Sequence, residues 1–214
     1  MSTLALIDYG SGNLASAEKA LVAAARQGGD RLRVNVTDKP EEVLAADRIV
    51  LPGVGAFAAC MDGVKSRPGV IEAMTEAVTK NGRPFLGICV GMQLLATRGL
   101  EFGETKGLGW IPGDVRRLEP AGPEVTIPHM GWNALTNVAD HPLFEGLADG
   151  THMYFTHSFA LYPTDPAQVA ASVDHGGLFA AAVASGNIAG VQFHPEKSQA
   201  AGLRLLHNFL EWKP

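Results

Sequence analysis

A short apolar run at residues 85–90 passes within one turn into good helix formers at residues 92–96. A strand that becomes a helix so abruptly brings its own backbone into near contact, which excludes large side chains two positions before and after the apex. Gly87 and Gly91 stand at those positions, and Cys89 stands at the apex. The pattern is the sulfur form of the G-x-S-x-G nucleophile elbow, in which N–H groups of the new helix point at the apex side chain. By itself it fits a buried structural cysteine between two unrelated glycines equally well.

The chain before this elbow alternates strands and helices. Residues 4–7, 32–36 and 48–51 are predicted strands, and residues 14–27 and 40–46 are predicted helices. This order predicts an α/β fold with a mostly parallel central sheet and helices on both of its faces. Sheets of this kind bind their ligands at the carboxyl ends of the strands.

A glycine-rich loop, Pro-Gly-Val-Gly at residues 52–55, follows the third predicted strand. The next predicted strand carries Cys89, so both loops are expected at the same edge of the sheet. Two glycines allow the peptide planes of the loop to turn, and its N–H groups can then face a ligand. An ordinary turn at the end of a strand is the other interpretation of these four residues.

The second half of the chain differs in character. Residues 108–136 contain extended segments broken by proline and glycine, including Pro120 and Pro123, and predict an antiparallel flap added to the sheet. Residues 153–161 are predicted as one further strand. No repeat, low-complexity tract or Pro/Gly linker divides the sequence, which predicts a single domain over residues 1–214.

Composition limits the possible functions. The chain has 214 residues, a net charge of -5 and no cluster of lysine and arginine, which argues against nucleic acid as the main partner. Cys60 and Cys89 are too few for a disulfide framework, and Cys60 is interpreted as a packing residue. Neither a signal peptide nor a run of ~18 apolar residues is present, so a cytoplasmic location is expected.

A second constellation follows the predicted strand at residues 188–193. Pro195 keeps His194 extended, and residues two apart in an extended chain face the same way, so the His194 ring and the Glu196 carboxylate are expected to touch. A carboxylate on one ring nitrogen fixes the tautomer and leaves the other nitrogen to exchange a proton with a thiol. Alone, His-x-Glu is usually a surface feature. Together with the elbow cysteine, it predicts a catalytic triad of Cys89, His194 and Glu196.

The other histidines weighed for metal binding have no cysteine or carboxylate at metal-ligand spacing, and we predict no metal site. They are interpreted as structural or solvated: His129, His141, His152, His175 and His207.

With the elbow and the His-x-Glu motif both in place, the sequence resembles the class I, triad-type glutamine amidotransferases. Three further stretches, at residues 8–13, 52–57 and 128–133, resemble one branch of that class, the glutaminase subunits of imidazole glycerol phosphate synthase. The resemblance spans residues 8–198 and implies a flavodoxin-like sheet and no cofactor. It also implies that Cys89 attacks the side-chain amide of glutamine, that His194 transfers protons and that Glu196 orients the imidazole.

The resemblance assigns further roles residue by residue. The oxyanion is expected to bind the N–H of Val90 and an N–H from the loop that contains Val54 and Gly55. The positions that resemble the glutamine site of the family are Gly53, Gln93, His157, Ser158 and Phe159. Phe159 departs from the family pattern because tyrosine is usual there, so a hydroxyl is lost while the aromatic ring is kept.

A partner is also implied. The family passes ammonia through an internal channel to a separate (β/α)8-barrel cyclase subunit, which makes imidazole glycerol phosphate and aminoimidazole carboxamide ribotide in histidine biosynthesis. The expected assembly is a heterodimer, and the positions that resemble its contacts are Asn13, Met130, Trp132 and Lys197. Since Gly53 and Gly55 make a flip of the Val54 peptide feasible, we expect low activity alone and activation by the cyclase.

Three alternatives stay open at this stage. The chain could be the glutaminase subunit of another synthase, such as that of pyridoxal phosphate, although Pro-His-Met-Gly-Trp-Asn at residues 128–133 argues against it. It could be a stand-alone cysteine hydrolase or a chaperone on a related sheet. An inactive binding module is the third alternative, and an intact Cys, His and Glu set argues against that one.

Overall fold

The structure, a computed structural model, describes residues 2–29, 32–119, 122 and 125–214. Pro120 and Pro123, two of the predicted breaks in the flap, lie outside the described residues. The strands are β1 (Ser2–Ile7), β2 (Leu32–Thr37), β3 (Arg48–Gly53), β4 (Phe85–Cys89), β5 (Arg98–Gly99), β6 (Thr105–Lys106), β7 (Gly113–Arg117), β8 (His129–Thr136), β9 (His152–His157), β10 (Phe159–Pro163), β11 (Val169–Asp174), β12 (Leu178–Ser185) and β13 (Ile188–Val191). The helices are α1 (Leu14–Gln27), α2 (Pro40–Ala45), α3 (Phe57–Lys65), α4 (Val70–Thr75), α5 (Val90–Gln93) and α6 (Gln199–Glu211).

Two sheets organise the described part of the chain. The larger has the order β2-β1-β3-β4-β13-β12-β11-β8-β9, and the smaller has the order β10-β7-β5-β6. The five strands from β2 to β13 pair in parallel, and the remaining strands of the large sheet pair antiparallel. The predicted α/β class is confirmed. The predicted flap is divided, because β7 belongs to the small sheet while β8 extends the large one.

The helices form two groups around the parallel strands. α1 packs against α6, whereas α4 packs against α2 and α3. α1 begins after Asn13, whose side chain accepts a hydrogen bond from the N–H of Ser16, and ends at Gly28. The central apolar positions of β1 and β3, among them Leu4 and Ile49, are fully buried between these layers. Within the described residues, no helix has the length and apolar character needed to cross a membrane.

The strand predicted over residues 153–161 is wrong as a single element. The chain divides at Ser158 into β9, which pairs with β8 in the large sheet, and β10, which pairs with β7 in the small sheet. The carbonyl of Ser158 accepts a hydrogen bond from the N–H of Leu118 at 2.9 Å, so the break is fixed by the neighbouring sheet. Two different pairing partners therefore override a continuous apolar pattern.

The helix after Cys89 is also shorter than its sequence predicts. α5 ends at Gln93, although residues 94–96 are good helix formers. The carbonyls of Leu94, Leu95 and Ala96 accept hydrogen bonds from N–H groups of the segment 108–111 at 2.8–3.0 Å. Because N–H groups from this distant segment bind the carbonyls that a longer helix would need, the helix ends after a single turn.

Candidate active site

The elbow has the geometry that its sequence predicts. Cys89 is the last residue of β4 and adopts φ 54° and ψ -112°, a backbone conformation that is rare for residues with a side chain. Gly91 lies so close to the neighbouring strand that a Cβ atom there would collide with the carbonyl oxygen of Leu51. A strained apex and a close backbone contact thus explain why this turn contains glycine.

The glycine-rich loop lies beside the elbow, as expected. β3 and β4 are parallel neighbours, and Gly53 is the pairing partner of Cys89. A Cβ atom on Gly53 would come within 2.8 Å of the backbone nitrogen of Gly91. Among the described residues, none accepts a hydrogen bond from the N–H of Val54 or Gly55. These two donors are therefore available at the edge where Cys89 is exposed to the cleft.

The carbonyl oxygens of this loop are held from the other side. The Tyr9 hydroxyl donates a hydrogen bond to the carbonyl of Pro52 at 2.7 Å, and the Ser11 hydroxyl donates one to the carbonyl of Val54 at 2.6 Å. The thiol of Cys60 donates to the same Val54 carbonyl at 3.3 Å. The interpretation of Cys60 as a packing residue is therefore incomplete: it is buried, and it also fixes a peptide of the active-site loop.

His194 and Glu196 form the expected pair. Nδ1 of His194 lies 2.8 Å from Oε1 of Glu196, and each side chain is 4% exposed. The backbone between the two residues differs from the predicted extended chain, since Pro195–Lys197 is a 3-10 turn and only His194 itself is extended. The hydroxyl of Ser198 donates to the His194 carbonyl at 2.7 Å and anchors the turn. The sequence identified the contact but not the turn that makes it.

The second nitrogen of the His194 ring is the one left for Cys89, since both residues line one cleft. Nε2 is buried and has no hydrogen-bond partner among the described residues. Burial lowers the pKa of His194, but the neighbouring Cys89 thiol and the hydrogen-bonded carboxylate of Glu196 outweigh this effect and raise the pKa to about 9. An imidazole with that pKa keeps its proton near pH 7. The arrangement can accordingly exchange a proton between Cys89 and a group bound next to it.

One cleft of about 670 Å³ contains Cys89 and His194 together. It brings together nearly all the residues that the sequence selected for the oxyanion and for glutamine: Val54, Gly55, Val90, Gln93, His157, Ser158 and Phe159. Gly53 lines a small adjoining cavity, which also reaches Asn13 and Glu196. Glu101, Phe102 and Arg117 line the main cleft as well, and no motif in the sequence marked them.

Gln192 is a further residue that the sequence analysis missed. Its amide nitrogen lies 3.7 Å from Sγ of Cys89, and its amide oxygen accepts a hydrogen bond from Nε2 of Gln93 at 3.0 Å. Nε2 of Gln93 also donates to the carbonyl of Phe159 at 2.9 Å. The available signal was a glutamine between Val191 and Phe193 in the segment 188–193 that was predicted as a strand, because buried polar side chains have specific partners.

The four positions assigned to a partner surface lie in two places. Met130 and Trp132 are exposed on β8, at 64% and 46%. The Trp132 ring contacts the Tyr154 ring edge-on at 5.9 Å, and Nζ of Lys197 lies 5.6 Å from the same ring. Asn13 lies outside this aromatic cluster, beside the small cavity next to Glu196. Within the described residues, we find no group of three or more histidine, cysteine or carboxylate side chains arranged to hold a metal ion.

Comparison with known proteins identifies the family of this chain. The family model "Glutamine amidotransferase class-I" matches residues 5–212, and the chain belongs to this family. A solved structure of a glutamine amidotransferase is 19% identical, has a TM-score of 0.70 and shares the fold over 97% of each chain. Within the family, the chain belongs with the proteins named "Imidazole glycerol phosphate synthase subunit HisH". It is 62% identical over 214 residues to that of Caulobacter vibrioides, covering 100% of each chain. It is 57% identical over 212 residues to that of Rhodospirillum rubrum, covering 99% of each.

Proposed function

We propose that this chain hydrolyses glutamine to glutamate and ammonia and passes the ammonia to a separate cyclase subunit in the cytoplasm. That subunit would use it to make imidazole glycerol phosphate and aminoimidazole carboxamide ribotide in histidine biosynthesis. The observation that carries the proposal is the His194–Glu196 pair, whose unpaired ring nitrogen belongs to a residue that lines the same cleft as Cys89 at its strained elbow. The 62% identity to a HisH subunit supports this choice of reaction.

In the first half of the reaction, Sγ of Cys89 attacks the side-chain amide carbon of glutamine. Nε2 of His194 holds the proton of the thiol and gives it to the leaving nitrogen, so that ammonia departs and a glutamyl thioester remains. Throughout the reaction, Glu196 accepts a hydrogen bond from the Nδ1–H of His194, which fixes the tautomer and stabilises the imidazolium.

In the second half, water attacks the thioester carbon. His194 takes a proton from this water and returns a proton to the sulfur of Cys89, so glutamate leaves and the enzyme is restored. The oxyanion of both halves would bind the N–H of Val90 and an N–H of the Val54–Gly55 loop. Loss of one such donor typically lowers kcat by about 10²–10³-fold.

The cleft offers the groups that a free amino acid requires. Arg117 and Glu101 line it with opposite charges, which suit the carboxylate and the ammonium of glutamine. Phe159 and the backbone around Ser158 form the wall that faces Cys89. Glutamine would lie between this wall and the loop at Val54, with its side-chain amide directed at the sulfur.

A partner follows from the chemistry of the product. Ammonia acts as a nucleophile only when neutral, and release into water near pH 7 would protonate most of it. A closed path to a second active site avoids this loss. The partner would bind the exposed Met130 and Trp132 together with Lys197, and Asn13 near the second cavity, to form a heterodimer with the (β/α)8-barrel cyclase.

Glutamate release provides the test of this function. The isolated chain should turn over slowly, and addition of the cyclase subunit with its ribonucleotide should activate it strongly. Cys89→Ala should abolish release, and an electrophilic glutamine analogue should add once, at Cys89, with Cys60 as the internal control thiol. Turnover that survives Cys89→Ala would exclude the triad, and equal turnover with and without the cyclase would exclude activation.

A further inference from the structure

Three polar side chains form a chain that begins at the wall of the glutamine cleft and runs behind it, and the reaction steps above give them no role. His129 on β8 and His157 at the end of β9 are pairing partners across the two strands, and they are 3% and 7% exposed. Nδ1 of His129 lies 3.1 Å from Nε2 of His157. Nδ2 of Asn133, further along the same face of β8, lies 3.2 Å from Nε2 of His129. We call Asn133, His129 and His157 the histidine relay.

The far end of the relay determines the direction of every hydrogen bond in it. Nδ1 of His157 lies 2.9 Å from the carbonyl oxygen of Phe159, which can only accept, so Nδ1 carries the hydrogen. Nε2 of a neutral His157 then accepts from Nδ1 of His129. Nε2 of His129 in turn accepts from the amide of Asn133, whose other hydrogen goes to the carbonyl of Asp174 at 2.8 Å.

Both rings are neutral near pH 7. Burial, together with neighbouring histidines, lowers the pKa of His129 to about 3. Burial lowers the pKa of His157 to about 4, although its hydrogen bond to Phe159 acts in the opposite direction. Each ring therefore donates once and accepts once, and the relay has no unpaired ring nitrogen.

The relay meets the cleft at the carbonyl of Phe159. This oxygen accepts from His157 and from Gln93, and the same Gln93 nitrogen reaches Gln192, which contacts Sγ of Cys89. Phe159 is the first residue of β10, directly after the break at Ser158. A single backbone carbonyl thus connects the break in the strand, the wall of the cleft and the surroundings of the reactive sulfur.

We propose that the histidine relay is a positioning device that holds the Phe159 carbonyl, and with it the Ser158 wall, in the geometry that accepts glutamine. His129 and Asn133 would act through His157 and touch no reacting atom, so they are positioning residues. The inference rests on the proposed function for its substrate and on the distances above for its structure.

A packing role is the competing explanation. The His129 ring stacks on Phe155 with centroids 4.7 Å apart and on His175 at 4.1 Å. If stacking alone matters, any flat ring should serve at position 129. If the hydrogen bonds matter, the ring nitrogens are required.

The decisive comparison is between two substitutions at one position. His129→Phe keeps a flat ring and leaves Nε2 of His157 without a donor, whereas His129→Asn places an amide nitrogen near the former Nδ1. In the complex with the cyclase, His129→Phe should raise the KM for glutamine about tenfold and change kcat less than about twofold. In His129→Asn, the KM should return most of the way to the value of the unmodified protein. His175→Phe is the matched control, because His175 stacks on the same ring but hydrogen-bonds to Thr126 outside the relay.

Hydrogen exchange separates failure of the relay from failure of the proposed function. Exchange of the amides at residues 157–160 should accelerate in His129→Phe whether or not glutamine is the substrate. Two results would overturn the proposed role of the relay. One is a His129→Phe variant whose amide exchange and KM are both unchanged. The other is a folded His129→Asn variant that restores neither the slow amide exchange nor the low KM. If His129→Phe does not fold, Asn133→Ala removes the outer donor and should raise KM in the same direction. Absence of glutamate release from the unmodified complex would count against the function alone.

Discussion

The hydroxyl of Ser11 donates a 2.6 Å hydrogen bond to the carbonyl oxygen of Val54. Because the C=O and N–H of one peptide point in opposite directions, this bond sets the direction of the Gly55 N–H, one of the two loop donors proposed for the oxyanion. In Ser11→Ala, the weaker hydrogen bond from Cys60 is the one that still holds the Val54 carbonyl. We expect the kcat for glutamine to fall about tenfold, with less effect on KM. Ser16→Ala is the control, since Ser16 lies in the first turn of α1 and no hydrogen bond joins its hydroxyl to the described residues of the loop. Equal kcat values for Ser11→Ala and the unmodified protein would contradict this assignment.

Glu196→Gln tests the orientation of the imidazole. The amide keeps the shape of the side chain but removes the charge that helps to raise the pKa of His194. We expect kcat to fall by about 10²–10⁴-fold with a small change in KM, as for other triads that lose the acidic member. The pKa of His194, followed by NMR, should fall at the same time. An unchanged titration of His194 would show that Glu196 does not influence it.

The relay histidines make stability depend on pH. In the unfolded chain both titrate near 6.5, whereas in the folded chain the pKa of His129 is about 3 and that of His157 is about 4. Since the unfolded state binds more protons between these values, the free energy of unfolding should decrease as pH falls below 6.5. Each histidine contributes about 1.4 kcal/mol per pH unit in this window. Urea unfolding at several pH values from 6.5 to 4.5 should show this decline, and a slope in His129→Phe as steep as in the unmodified chain would refute it.

Trp132→Ala tests the proposed partner surface. A half-exposed tryptophan beside Met130 and Lys197 is typical of a residue that dominates an interface, and its removal should weaken cyclase binding by about 2 kcal/mol. The activity of the isolated chain should not change. Val36→Ala is the matched control, because Val36 is 40% exposed on β2 at the opposite edge of the large sheet. Titration of the labelled chain with cyclase would measure both, and equal affinities would exclude Trp132 from the interface.

The elbow and the order of strands and helices were predictable because they depend on local rules. The glycines two residues before and after Cys89 are required by steric contacts within one turn. The apolar periodicity of residues 4–51 predicts each strand or helix from its own residues. The same holds for the contact between His194 and Glu196, which lie two residues apart. Neighbours in sequence determine these features, so one sequence is sufficient to predict them.

The missed features depend on partners far away in the chain. The break at Ser158 arises because β9 and β10 pair with strands of different sheets, and no local residue marks it. Gln192, directly after β13, bonds to Gln93 in α5, and His129 bonds to His157 across two strands whose pairing is set by the whole sheet. Buried polar pairs of this kind become visible only when the register of the sheet is known.

Side chains alternate along β8, so Met130 and Trp132 face outward while His129 and Asn133 face inward. Insertion of one residue before His129 would exchange these two faces, exposing the imidazole to water and turning the indole inward. The proposed partner surface and the proposed positioning residues therefore lie on the two faces of the same eight-residue strand. Evolution of the outer side is constrained by the inner one.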